Sequence, residues 1–486
     1  MTTGSKPRGL QTWQMLHPGS VVVNLLPQAW RFVRNFWPLM FAWLAGRSNR
    51  EFALFDLTVV GFLIAMTGGR TLLHFATLRY RVTHQGLEIR SGLLNRQHRI
   101  LPPERIHNVE RVQGPLHRVF GLVEVRIETA SGDEVEGMLS ALSVEQAVTL
   151  MTALKESDTD PEHTEPAAPL RVLHRTPVRD LLMYGISSTR LGAIAIVLGF
   201  TLEAMQWSDP ERIEEVGRMF DGVGMVFLIV AIVSGTWLFG VVNSLIRHWN
   251  VRLVQDSNRL ITEEGLLTRR RSELPQEKIQ LLLYAEPFLR RLFGFGSVRI
   301  ETAAAGSERA GVQRAEAFLP VVEPSQLDGL AQHAVPGVCL APEQLQLNKP
   351  APKALHRSIF QSVIESAILT AGAVWWFGLW GWTAAILLPI NIWLGWMDHT
   401  HQGWSVSPQY VIARRGFVHR KTHVIPRSKL QSLDIQQGPM MRRWGLSTVV
   451  LRVAGTSVAM PLLTWEDAQR LQHALIQLPS PQQEGT

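Results

Sequence analysis

Apolar residues are concentrated in blocks long enough to cross a membrane, and these blocks alternate with charged stretches. The blocks form three pairs, which predict three transmembrane helical hairpins: 29–46 with 52–69, 187–207 with 223–246, and 358–396. Because each hairpin returns to the side that it left, all the charged stretches are expected on one face of the membrane. Their arginines indicate the cytoplasmic face, although Arg47 and Arg50, in the expected outer loop of the first hairpin, conflict with this orientation.

The charged stretches follow a shorter pattern, in which apolar and polar residues alternate. YRVTHQGLEIRSGLL (80–94) and LVEVRIETASGDEVEGMLS (122–140) alternate around Gln-Gly and Ser-Gly-Asp turns, which predicts β-hairpins. SVEQAVTLMTALKE (143–156) begins with a serine N-cap and continues at helical spacing. The pattern predicts a curved sheet or barrel closed by a C-terminal helix.

The chain contains three copies of this pattern. SGLLNRQHRILPPERI (91–106), EGLLTRRRSELPQEKI (264–279) and RGFVHRKTHVIPRSKL (415–430) align without gaps, and the same two offsets superimpose Gly121, Gly294 and Gly445. We expect these glycines at a turn into the next strand, with little room for a Cβ atom. The repeated unit includes the membrane hairpin as well as the soluble domain.

The predicted boundaries follow from these three copies. They are an N-terminal segment with hairpin 1 at 1–75, a first soluble domain at 76–157, a linker at 158–172, hairpin 2 at 173–246, a second soluble domain at 247–335, a linker at 336–354, hairpin 3 at 355–399, a third soluble domain at 400–479 and a tail at 480–486.

The Gly-Leu-Leu strand, the Leu-Pro-x-x-(Arg/Lys)-Ile step, the Phe-Gly turn and the terminal helix resemble the bacterial PH-like domain of YdbS/YdbT-type membrane proteins. The three-copy arrangement is similar to that of the YdbT-like members. The resemblance implies an α+β membrane protein in which transmembrane hairpins alternate with three PH-like β-barrel domains, each closed by a C-terminal helix. It implies no particular activity. With the hairpins, it indicates a multi-pass protein of the bacterial inner membrane with cytoplasmic soluble domains.

Composition adds two constraints. The formal net charge of +7 fits contact with anionic lipid, but the positive-inside orientation by itself leaves an excess of this size. The single cysteine, Cys339, excludes a disulfide framework within the chain and fits a reducing compartment.

A basic position recurs after the Gly-Leu-Leu strand in all three copies. The residues at and beside it are Arg96, Arg269, Arg270, Arg271, Arg420 and Lys421. One interpretation is contact with lipid headgroups, because basic groups near an anionic leaflet gain roughly 1 kcal/mol each. The other is a solvated hairpin tip, where surface arginines are common.

No phosphate-binding glycine loop, zinc ligand set, nucleophile elbow or pair of catalytic carboxylates is found, so we expect neither enzymatic activity nor a cofactor.

The favoured hypothesis is a non-catalytic scaffold for envelope homeostasis or stress tolerance. It would contact membrane lipids and bind either a smaller YdbS-like protein or a second copy. The alternative is a transporter or lipid-handling protein, motivated by about six spans and by Glu365 as an intramembrane ionisable residue. Scattered basic residues without a reader motif disfavour nucleic-acid binding.

Overall fold

The architecture is that of a computed structural model, which describes residues 12–23, 25–26, 61, 66, 68–69, 72, 76–83, 86–92, 96–129, 137–158, 170–188, 222–303, 316–340 and 345–476. All but residues 61, 66, 68 and 69 of the first predicted hairpin, and most of the first helix of the second, therefore lie outside the described residues, as does the C-terminal tail.

The soluble domains of the three repeats share six strands, a short helix after the fourth of them and a C-terminal helix, in the same order. The first consists of β1 (Gln14–Met15), β2 (Arg79–Thr83), β3 (Gly86–Ser91), β4 (Gln97–Leu101), β5 (Ile106–Gln113), α1 (Pro115–Val119), β6 (Leu122–Thr129), β7 (Gly137–Ser143) and α2 (Val144–Asp158). The second consists of β8 (Arg171–Arg175), α3 (Val178–Ser187), α4 (Gly222–Arg247), β9 (Arg252–Asp256), β10 (Arg259–Glu264), β11 (Arg269–Pro275), β12 (Ile279–Pro287), α5 (Phe288–Leu292), β13 (Gly296–Thr302), β14 (Glu316–Val322) and α6 (Pro324–Ala334). The third consists of α7 (Lys353–Phe377), α8 (Leu387–His401), β15 (Gly403–Val406), β16 (Tyr410–Arg415), β17 (His419–Pro426), β18 (Leu430–Gln436), α9 (Pro439–Trp444), β19 (Leu446–Val453), β20 (Thr456–Ala459), β21 (Leu463–Thr464) and α10 (Trp465–Ile476).

Each repeat is built from two antiparallel sheets rather than a closed barrel. In the first repeat, β1 to β4 form one sheet, while β5, β6 and β7 belong to another. Within the described residues no pairing joins β4 to β5, so the predicted barrel closure is wrong. The physical reason is that β5 pairs instead with β11 of the second repeat, and β12 of the second repeat pairs with β17 of the third.

The core of each repeat lies between its sheets and the C-terminal helix. Leu87 on β3, Ile127 on β6 and Leu150 on α2 are completely buried in the first repeat. The alternation of apolar and polar residues makes these strands one-sided, and burying the apolar side is the main driving force for folding. Val424 of the third repeat belongs to the core cluster of the second, so the cores of the second and third repeats are continuous.

Two helical segments of the described part are long and apolar enough to cross a membrane, Val230–Arg247 and Lys353–His401. The second contains α7 and α8, joined by a 3-10 segment at Gly378–Ile386 that lies within the predicted third hairpin. Asn391 Nδ2 donates to Ser366 Oγ at 2.9 Å, and Ser362 Oγ donates to the carbonyl of Asn391 at 3.1 Å. Small polar residues thus hold the two helices together, as is typical of helix pairs in lipid.

Candidate interaction site

The first junction between repeats is a strand pair formed by β5 and β11. Lys278 Nζ donates to the carbonyl of Ile106 at 2.6 Å, and buried Ser272 Oγ donates to Asn108 Oδ1 at 3.0 Å. Arg118 on α1 donates to the carbonyl of Leu266, in the turn before β11, at 3.2 Å. Backbone pairing is therefore supported by side-chain contacts on both sides of the junction.

The second junction is formed by β12 and β17. Arg420 makes two hydrogen bonds with Glu286, at 2.6 and 2.8 Å, in the bidentate geometry that arginine and carboxylate favour. The guanidinium of Arg291 on α5 lies 4.8 Å from the ring centroid of Phe417, in the turn before β17. Arg118 and Arg291 occupy the same repeat position, so the short helix contacts the following repeat at both junctions.

The two junctions have the same register. Gln113 lies opposite Arg269 at the first junction, and Glu286 lies opposite Arg420 at the second. The repeat offsets that superimpose Gln113 on Glu286 also superimpose Arg269 on Arg420. Because a one-residue slip would exchange the two faces of a strand, this agreement indicates that the register is specified rather than accidental.

The ion pair of the first junction is buried, and burial disfavours the charged form of both partners. Arg270 Nη1 lies 3.8 Å from Glu110 Oε1, and Glu110 is buried. Burial raises the pKa of the Glu110 carboxyl, although Arg270 and Arg126 oppose the shift, and burial lowers the pKa of Arg270. Desolvation therefore outweighs the mutual attraction for both partners, as is common for buried pairs.

Five of the six basic residues predicted as a site lie on β11 and β17, which pair at the junctions, whereas Arg96 lies just before the edge strand β4. Arg269 and Lys421 are exposed, as is Arg96. Arg270 and Arg420 pair with acidic residues of the preceding repeat, and Arg271 contacts Glu263 and Glu273 of its own repeat at 3.1 and 3.2 Å. A lipid contact for the exposed members stays a prediction.

The hairpin tips preceding β11 and β17 lie beside the long apolar helices. The backbone N–H of Leu266 donates to the carbonyl of Ile246 near the end of α4 at 3.0 Å. In the third repeat, the His401 ring at the end of α8 lies 4.9 Å from the ring of Phe417. Leu266 and Leu267 are 41% and 50% exposed, so the first of these tips presents apolar surface next to the end of a helix.

The remaining predicted residues have simpler surroundings. Gly121, Gly294 and Gly445 lie at the turn after the short helix, as expected, with φ values of +64°, +79° and +66°. Nothing lies within 4 Å of the position where a Cβ atom would stand, so the expected lack of room is wrong and backbone conformation explains the glycines. Glu365 is exposed on α7 and does not line the groove between α7 and α8.

The junctions themselves were not predicted from the sequence. The available signal was the repetition of acidic residues on one strand and basic residues on another, as in Glu286 and Arg420. In a single chain this pattern does not distinguish pairing within a repeat from pairing between repeats.

Comparison with known proteins agrees with this architecture. Three stretches of the chain, 39–158, 189–333 and 362–478, match the family model described as the bacterial PH domain. The chain belongs to the bacterial PH domain family. Each match begins inside one of the apolar blocks, so the bacterial PH domain match, like the repeat, includes part of the upstream apolar block.

Two curated proteins of Bacillus subtilis (strain 168) are similar to this chain. The UPF0699 transmembrane protein YdbT is 24% identical over 467 residues, which cover 91% of this chain and 93% of YdbT. The UPF0699 transmembrane protein YdbS is 33% identical over 55 residues, which cover 11% of this chain and 35% of YdbS. No solved structure matches this chain. The match to YdbT extends over all three bacterial PH domains and agrees with the predicted resemblance.

Proposed function

We propose that the protein is a non-catalytic membrane scaffold that presents three bacterial PH domains in a row at the cytoplasmic face of the bacterial inner membrane. The observation that carries the proposal is the pairing of successive domains through β5 with β11 and β12 with β17 in one register. Such pairing holds the domains in a fixed order and orientation, which suits a surface on which other proteins assemble. A role in envelope homeostasis or stress tolerance belongs to the same proposal.

The membrane location is supported by the surfaces of the long helices. On the hairpin of α7 and α8, Trp375, Leu379 and Trp380 are 83%, 87% and 80% exposed. A contiguous apolar surface of this kind is covered by lipid or by another protein. The relative YdbT is named a transmembrane protein, which supports the same location for this chain.

Accessibility labelling tests the topology of this multi-pass arrangement. With Cys339→Ser as background, single cysteines replace exposed Arg90, Ser325 and Ser457, one in each domain. An impermeant maleimide is expected to leave all three unlabelled in intact cells and to label them after the membrane is opened. Labelling of any one in intact cells would contradict a common cytoplasmic face.

Purification from native membranes tests the scaffold role. The tagged full-length chain, extracted in mild detergent, is expected in a complex of fixed stoichiometry with a second copy or with a smaller YdbS-like protein. Native mass spectrometry measures the composition, and an untagged strain is the control for adventitious proteins. Recovery of the monomer alone, both in detergent and after cross-linking in intact membranes, would contradict the scaffold.

A further inference from the structure

Two kinds of strand join neighbouring domains. Within the described residues, one strand of the first domain and one strand of the third domain correspond to these kinds but join no other domain. β4 of the first domain corresponds to β11 and β17, and β18 of the third corresponds to β5 and β12. Within the described residues, β4 and β18 are edge strands of their sheets. Four of the five residues of β4 are exposed, whereas its counterpart β17, which pairs with β12, has three of eight residues buried and only two exposed.

The open edges carry side chains that fit the register of the internal junctions. Ile100 on β4 corresponds to Val424, and Leu433 on β18 corresponds to Leu282. Val424 and Leu282 lie opposite each other at the second junction and are completely buried. Ile100 is instead 44% exposed. The same register would therefore place the exposed Ile100 against Leu433, which is half-buried.

Charge at the next position is also complementary. The register places Asp434 of β18 opposite Arg99 of β4, at the position that Glu110 and Ser272 occupy at the first junction. Asp434 already accepts a hydrogen bond from Arg452 of its own sheet at 2.6 Å. A carboxylate facing a guanidinium across paired strands favours this alignment over one that places like charges together.

We propose that β18 of one copy pairs antiparallel with β4 of a second copy, head to tail, in the register of the two internal junctions. The inference rests on the proposed scaffold and identifies its partner and its contact strand. We choose a second copy as the partner because its β4 corresponds to the strands that pair at the internal junctions, and because the same register aligns Arg99 of β4 with Asp434 of β18. An open strand edge is a ready template for such pairing, and the internal junctions show that this fold uses it.

The proposed contact is heterologous, since two different edges meet. Repetition of a heterologous contact yields a closed ring where the rotation closes and an open chain where it does not. Copies that share one membrane plane are restricted to rotations about its normal, which favours the ring. Assembly would then continue the row of domains from one copy into the next.

Disulfide trapping tests the register directly. Gln97 and Gln436 are exposed, and the repeat offsets place them opposite each other, as Ala285 lies opposite Lys421 at the second junction. Two differently tagged chains, each with Cys339→Ser, carry Gln97→Cys and Gln436→Cys respectively and are co-expressed. Mild oxidation of isolated membranes should link the two tags, because paired strands bring Cα atoms within disulfide reach.

Two controls accompany the trapping experiment. Ala285→Cys with Lys421→Cys, in one chain, reports that oxidation captures the known junction. Gln97→Cys with Asp434→Cys is two residues out of register, which shifts one Cα by about 7 Å along the strand and should lower the yield about tenfold. Gel filtration of each variant checks that it remains folded.

The outcomes separate the inference from the proposed function. A linked product specific to the Gln97 and Gln436 pair supports the inference. Its absence while the Ala285 and Lys421 control is linked overturns the inference, as does an equal yield from the out-of-register pair. If native membranes then still give a complex with another protein, the scaffold stands without this contact, and if they give only monomer, both proposals fail.

Discussion

At the scale of single residues, His423 is the most informative titratable group, because it lies in β17 at the second junction. It stands opposite Leu283 of the second domain and beside Ala413 of its own sheet. Burial, together with the charges of Lys421 and Arg415, lowers the pKa of His423 from 6.5 to about 4, and a hydrogen bond with the Ala413 backbone opposes the shift. The junction therefore contains a neutral imidazole at physiological pH.

Acid is expected to weaken the fold through this imidazole. Its folded-state pKa lies below its unfolded value, so its contribution is fully present above pH 6.5 and is lost as the pH falls towards 4. The loss amounts to about 2 kcal/mol at pH 5, at 1.4 kcal/mol for each pH unit. Thermal unfolding of the chain in nanodiscs at pH 8, 6 and 5 measures how stability depends on pH. His423→Gln should remove the contribution of the imidazole to this dependence, while the contribution of the carboxylates remains. Equal slopes for both proteins would contradict the assignment.

The repeated glycines are expected to matter through their backbone conformation. Gly445 has φ of +66° at the C-cap of α9, where an L-residue costs about 1–2 kcal/mol. Gly445→Ala should therefore lower the free energy of unfolding by about 1 kcal/mol, Gly445→Val by more and Gly445→Asn by less. Gly329→Ala on α6, where φ is ordinary and the surroundings are open, is the matched control and should be neutral or stabilising. Equal effects at both glycines would remove the conformational explanation.

At the scale of secondary-structure elements, the junction strands depend on how their side chains are partnered. Arg420 and Lys421 are neighbours on β17, yet Arg420 binds buried Glu286 and Lys421 is exposed. Arg420→Ala would leave the Glu286 carboxylate buried without its partner, which costs about 2–3 kcal/mol after allowance for the partial exposure of Arg420. Lys421→Ala should change stability by less than about 0.5 kcal/mol. Denaturant unfolding compares the two variants, and similar losses would show that the ion pair does not stabilise the junction.

At the scale of the whole molecule, the sequence predicted the repeats and their elements but not how the repeats join. Alternation identifies the strands because it reports which face of each strand is buried. It does not report the edges, where backbone groups pair: β4 and β11 share the motif yet one is an edge strand and the other is central in its sheet. For the same reason, the pattern did not distinguish a curved sheet from a barrel, and the barrel that the resemblance implies does not close because β5 and β12 instead pair with the next domain. The role of Arg420 was hidden because its partner, Glu286, lies in a different repeat.

The orientation of the molecule on a membrane determines whether the exposed basic residues beside the hairpin tips reach the lipid headgroups. Arg269 and Lys421 follow tips that adjoin the ends of α4 and α8, and Leu267 is 50% exposed at the first tip. If α4 spans the bilayer, this tip reaches the headgroup region, where each basic group gains about 1 kcal/mol from anionic lipid. An environment-sensitive dye at Leu267→Cys, in the Cys339→Ser chain, should report a less polar environment in nanodiscs with phosphatidylglycerol than with phosphatidylcholine alone.

The lipid effect should have an electrostatic signature. The difference between the two nanodiscs should shrink as salt rises, because screening limits the reach of these charges to about 10 Å near 0.1 M. Arg269→Glu with Lys421→Glu should abolish the difference, whereas Arg470→Glu on α10, an exposed basic residue outside the tips, should preserve it. A dye signal that is identical in both lipids and insensitive to salt would leave Arg269 and Lys421 as solvated surface residues, since a charge that contacts anionic headgroups must respond to their removal.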